Sequence, residues 1–81
     1  MNTYLLGIDV GTSACKVALF RTSGQVAAQE MCVYPVFYPK AGWAEQNPED
    51  WWVGVCTSLR AVLRQSGIDP ADISAIGVDG Q

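Results

Sequence analysis

The stretch that most constrains this chain is an apolar run that ends in a carboxylate and a small-residue turn: residues 5–16, LLGIDVGTSACK. Tyr4 to Val10 predicts a strand, Gly11, Thr12 and Ser13 a tight turn, and Cys15 and Lys16 the start of a second strand. A carboxylate at the end of an apolar strand is costly to desolvate unless a cation or donors meet it, so Asp9 needs a partner. The next residues supply candidates. Gly11 removes the side chain where the backbone turns, Thr12 and Ser13 offer hydroxyls and backbone N–H groups, and Lys16 returns a positive charge. The set suits a metal-bound phosphate; an ordinary hairpin with a buried, capped Asp9 is the alternative reading of the same residues.

The spacing excludes two common phosphate loops. A G-x-x-x-x-G-K-[ST] loop would need a second glycine before Lys16 and a hydroxyl residue after it, and G-x-G-x-x-G is absent. The pattern G-I-D-x-G-T-[ST]-x-x-K resembles instead the first phosphate motif of the actin-like ATPase superfamily, which includes sugar kinases, chaperones and actin. That resemblance implies that Asp9 acts with the Mg²⁺ of ATP, that Gly11, Thr12 and Ser13 approach the β- and γ-phosphates, and that Lys16 neutralises transferring charge.

Size and composition set the limits. A chain of 81 residues holds one small domain, which buries roughly 60 to 65% of its unfolded surface and is marginal alone. At 49% hydrophobic and 16% charged it is apolar for its length, so we expect a fragment of a larger protein whose core it shares. A net charge of −3 and five scattered Lys and Arg argue against a nucleic-acid surface. Cys15, Cys32 and Cys56, with no histidine, do not complete a common zinc site and read as reduced, small hydrophobes. No signal segment and no apolar run near 18 residues is present, which leads us to expect a cytoplasmic enzyme without membrane contact.

Further along, VALF continues the second strand, Thr22-Ser23-Gly24 is turn chemistry, and Val26 to Tyr34 reads as a third, edge strand of a β-meander. Strand one is apolar on both faces, which predicts a central strand covered on both sides. Residues 35–47, PVFYPKAGWAEQN, predict an ordered crossover. Asn47 as N-cap, Pro48 at N1, and Glu49 and Asp50 in the first turn predict a helix start. Trp51, Trp52, Val55, Cys56, Leu59, Val62 and Leu63 then predict its apolar face, with Arg60, Arg64 and Gln65 outside and Gly67 as the C′ stop. Gly54 within it costs about 1 kcal/mol relative to alanine, which hints at close packing against a neighbouring backbone. Asp69-Pro70 starts a short turn, and Ile73 to Asp79 returns as a strand parallel to strand one. The fold class is therefore α/β, a mixed sheet of order 3-2-1-4 with an antiparallel meander and a helical crossover. Asp9 and Asp79 both lie at carboxyl ends of parallel strands, where ligands gather in open sheets.

Two more stretches narrow the resemblance. Gly42 to Trp52, GWAEQNPEDWW, is similar to the G-W-x-E-Q-[DN]-P-x-x-W-W signature of the FGGY carbohydrate kinases, and Ile73 to Gln81, ISAIGVDGQ, to that family's fourth strand and the start of its sugar-site turn. The match spans the whole chain in order. It implies a ribonuclease H-like (actin-like ATPase) fold, present here incompletely, with residues 1–81 as the N-terminal part of the first actin-like domain and the second domain missing. It also implies transfer of the γ-phosphate of MgATP to a sugar hydroxyl, with D-xylulose as the sugar and another sugar or polyol as the alternative. Asp79 and Gln81 would border the sugar, although position 79 departs from the small residue expected before Gly-Gln in the kinases of D-xylulose, and a turn-capping carboxylate explains Asp79 equally. Trp43, Trp51 and Trp52 read as packing residues rather than sugar platforms. No catalytic residue falls within the chain: the family's base, an aspartate, and the adenosine pocket lie beyond residue 81. A nucleotide switch without a sugar, and an inert folding module, are the readings from other classes. Because strand four ends as an apolar edge, the isolated chain is expected to be inactive and to associate, as a dimer or by swapping.

Overall fold

The computed structural model describes residues 3–34 and 48–80. The elements run β1 (Tyr4–Val10), β2 (Ala14–Arg21), β3 (Val26–Val33), α1 (Pro48–Ser66), a 3₁₀ turn at Pro70–Asp72, and β4 (Ile73–Gly80). The sheet order is β3-β2-β1-β4, with β2 antiparallel to both β1 and β3, and β4 parallel to β1. This is the expected order. The segment 35–47, with the Trp43 region and the Asn47 cap, and Gln81 lie outside the described residues.

Strand alternation sorts side chains to two faces of unequal cover. Tyr4 and Leu6 of β1, Cys15, Val17 and Leu19 of β2, and Ala28 of β3 point to the side on which α1 packs, and Cys15, Val17 and Leu19 are 0% exposed. Leu5, Gly7 and Asp9 point the other way, where Leu5 is 40% exposed. Strand β1 is central as expected. Its second face, however, is not covered by any helix among the described residues, so the expectation of burial on both sides fails there. Among the described residues β4 is exposed beyond Ile73, which packs on the core, with Ile76 and Val78 bare.

Helix α1 lies over β2 and β3 through small residues. Its buried positions are Gly54, Ser58 and Val62, one line at i, i+4 and i+8. A Cβ on Gly54 would meet the Cys15 and Cys32 sulfurs at 3.4 and 3.6 Å and the Tyr34 ring at 3.4 Å, so the close neighbours are sheet side chains and not the backbone expected from sequence. The Ser58 hydroxyl lies 3.9 Å from the Cys15 Sγ. Trp52, expected on the apolar face, is 69% exposed, because the small line and not the bulky one faces the sheet. Trp51 does pack inward, its ring centroid 6.4 Å from that of Tyr34.

The ends follow local chemistry. Gly67 takes φ +68°, and its N–H donates to the Leu63 carbonyl at 3.0 Å, closing the helix with a left-handed cap. The Asp69 side chain accepts from the Ala71 N–H at 2.9 Å and starts the 3₁₀ turn before β4. The three cysteines are free thiols, Cys15 buried and Cys32 and Cys56 half-buried.

Candidate functional site

The register brings three charged residues from separate strands into one row. Asp9 stands opposite Lys16 across the β1–β2 pair and opposite Asp79 across the β1–β4 pair. All three are exposed, on the face away from α1. The desolvation problem posed by Asp9 in the sequence is therefore absent in this structure, since its carboxyl stays in water. What Asp9 meets is Asp79. The hydrogen bond between the two carboxyls, then burial, then mutual repulsion push Asp79 above the ordinary carboxylate range. Two carboxyls so placed share a proton or accept a cation.

Next to this row the sheet carries a second row of small residues, Gly77, Gly7 and Ala18, again in register. They floor a cavity of about 530 Å³ that Phe20, Val26 and Gln29 also line and into which Asp9, Lys16 and Asp79 open. Gly7 leaves the floor open beside the Phe20 ring. A Cβ there would come within 3.4 Å of the Phe20 ring.

The turn sits beyond the row, at the end of β1, and is not part of the cavity lining. The Gly11 N–H donates to the Ala14 carbonyl at 2.9 Å, and a Cβ on Gly11 would lie 3.1 Å from that same oxygen. Glycine is thus required by close approach rather than by an unusual φ. Thr12 and Ser13 are exposed at the tip. Asp9, Lys16 and Asp79 are brought together, Gly11, Thr12 and Ser13 adjoin them in sequence at the same end of the sheet, and Gln81 lies outside the described residues. One residue was missed in the sequence. Tyr34, just after β3, is 4% exposed; its hydroxyl donates to the carbonyl of Gly11 and, at 3.0 Å, to that of Ala14, and its N–H donates to the Ser13 carbonyl at 3.1 Å. Its signal was positional: the meander that pairs Ala14 with Val33 sets residue 34 beside the turn.

A mixed β3-β2-β1-β4 sheet with one crossover helix belongs to the ribonuclease H-like, actin-like ATPase class of α/β folds. Residues 4–81 match the FGGY family of carbohydrate kinases, N-terminal domain, and the chain belongs to that family. It is 42% identical over 81 residues to a glycerol kinase of Xanthobacter autotrophicus, covering 100% of this chain and 16% of that protein. To a xylulose kinase of Bacillus subtilis it is 41% identical over 78 residues, covering 96% and 16%. The crystal structure of a gluconate kinase from Lactobacillus acidophilus matches with a TM-score of 0.88 at 31% identity, over 100% of this chain and 16% of that one. The chain thus spans about a sixth of the length of the relatives it matches. Among the described residues no helix is long and apolar enough to cross a membrane.

Proposed function

We propose that residues 1–81 are the N-terminal part of the first domain of an ATP-dependent carbohydrate kinase, and that they carry its phosphate turn without its catalytic base. The observation that carries this is the row Asp79, Asp9 and Lys16 across the sheet, with the Gly11–Ser13 turn just beyond it at the end of β1. Among the described residues no group of three or more His, Cys, Asp or Glu forms a metal cage. That donor set fits Mg²⁺, which is usually held by one or two carboxylates plus substrate phosphates. Asp9 would hold the ion, Lys16 would neutralise charge on the transferring group, and Thr12 and Ser13 would offer hydroxyls to the β- and γ-phosphates. The Gly11 N–H is committed to Ala14, so Gly11 contributes close approach and not a donor. MgATP, when bound, supplies the phosphoryl group and the metal's charge stabilisation.

Asp79 and Gln81 would border the acceptor. The xylulose kinase relative supports D-xylulose, while the glycerol and gluconate kinases support a polyol or sugar acid equally well, so the acceptor is a polyhydroxylated carbon chain with a reactive hydroxyl. A coupled ADP-release assay on the full-length protein, with D-xylulose, glycerol and D-gluconate each as acceptor, tests the reading. We expect release dependent on one of the three; release of equal rate with no acceptor would favour a nucleotide switch.

A further inference from the structure

The geometry points to Tyr34 as the positioning residue of the phosphate turn, the group through which helix α1 holds Gly11 to Ala14 in shape. This rests on the reading of residues 11–13 as the phosphate turn.

A loop that binds phosphate must not change shape as charge develops on the ligand, so its carbonyls need fixed partners. The hairpin itself provides one, the Gly11 N–H to Ala14 carbonyl bond at 2.9 Å. Tyr34 provides the others. Its single hydroxyl proton is shared between the carbonyls of Gly11 and Ala14, the two ends of the turn, and its N–H holds the Ser13 carbonyl. Three carbonyls of a four-residue segment are thereby engaged by one residue and not left to face a bound anion. This removes the groups that would repel an anion.

Tyr34 is itself held from the far side. The Tyr34 ring lies against the helix at Gly54, where an added Cβ would meet it at an ordinary 3.4 Å contact, and Trp51 tilts against it at 48°. A path of direct contact therefore runs from the first half of α1 through one aromatic ring to the turn. Burial, ahead of the nearby Cys15, Asp9 and Cys32, pushes the phenol above its ordinary range, so it stays a donor at working pH.

The test is Tyr34→Phe in the full-length protein, which keeps the ring and removes the hydroxyl. Loss of a bond of this kind should lower kcat/KM for ATP about fivefold to tenfold while KM for the acceptor stays unchanged. Exchange of the Gly11 amide, measured by hydrogen exchange, should quicken by a similar factor. A merely structural tyrosine would lower the melting temperature and both substrate dependences together, with no preference for ATP. If Tyr34→Phe does not fold, the comparison is repeated in a Gly54→Ala background, which the packing accommodates. Unchanged exchange at Gly11 would overturn the positioning role. A wild-type protein without acceptor-dependent ATP use, but with Gly11 exchange that quickens in Tyr34→Phe, would instead refute the kinase reading and leave the Tyr34 contact standing.

Discussion

The two faces of β1 and β2 are built from alternate residues of the same strands and have opposite characters. Toward α1 stand Leu6, Cys15, Val17 and Leu19, all dry; an odd number of residues along each strand, on the other face, stand Asp9 and Lys16, both exposed. A period of two lets a seven-residue strand serve a core and a proposed ligand site at once, because a side chain's face depends only on its parity. The lesson is separability. Changes on the covered face should act on stability, and changes on the open face on chemistry, with Tyr34 as the link between them.

Substitutions on each face can break or sharpen that division. The largest effect should come from Asp9→Ala in the full-length protein, where the proposed activity predicts a loss in kcat of about 10³ with little change in melting temperature or acceptor affinity, by turnover assay and calorimetry. Leu19→Ala on the covered face should do the reverse, costing about 3 kcal/mol in denaturant unfolding while the activity of the folded fraction is kept. Lys16→Ala should raise KM for ATP about tenfold and leave the acceptor's KM alone if, as proposed, its charge serves the phosphates; an effect confined to the acceptor would remove Lys16 from the phosphate site.

Smaller effects follow from the carboxyl pair and from Gly54. The Asp79 pKa is raised in the folded state, so the native protein binds more protons there than the unfolded chain, and this contribution to stability is complete below the ordinary Asp value and lost as pH rises through the raised one. Asp79→Asn keeps a donor toward Asp9 at every pH. Its denaturation midpoint should match wild type in acid and exceed it at neutral pH, and a variant less stable than wild type at pH 7 would contradict the pairing. Gly54→Ala should be the mildest, stabilising by up to about 1 kcal/mol through helix propensity against an ordinary 3.4 Å contact.

Local features were legible in sequence and side-chain contacts between distant elements were not. Tyr4–Val10, the Gly67 stop and the Asp69 turn depend on neighbours within four residues, and each lies where its own chemistry puts it. The strand order was also readable, since turns dictate a meander and a helix dictates a parallel return. The buried arc of α1 was not. Bulky apolar residues pointed to Trp52, yet Gly54 and Ser58 face the sheet because Cys15, Cys32 and Tyr34 occupy that space from elements far away in sequence. Asp9 looked buried because an apolar strand does not reveal which of its faces is covered. Tyr34 was overlooked as the last residue of an edge strand, for its partners are backbone carbonyls, which no side-chain pattern marks; only its position in the meander pointed to them.

Whether the open-face row and its turn are where nucleotide phosphate binds is tested most directly by hydrogen exchange on the full-length protein, with and without MgATP or a non-hydrolysable analogue. We expect amides of residues 9–16 to slow on nucleotide binding while those of Ser58 to Ser66 in α1 stay unchanged. Binding by calorimetry with no slowing at residues 9–16 would contradict the account.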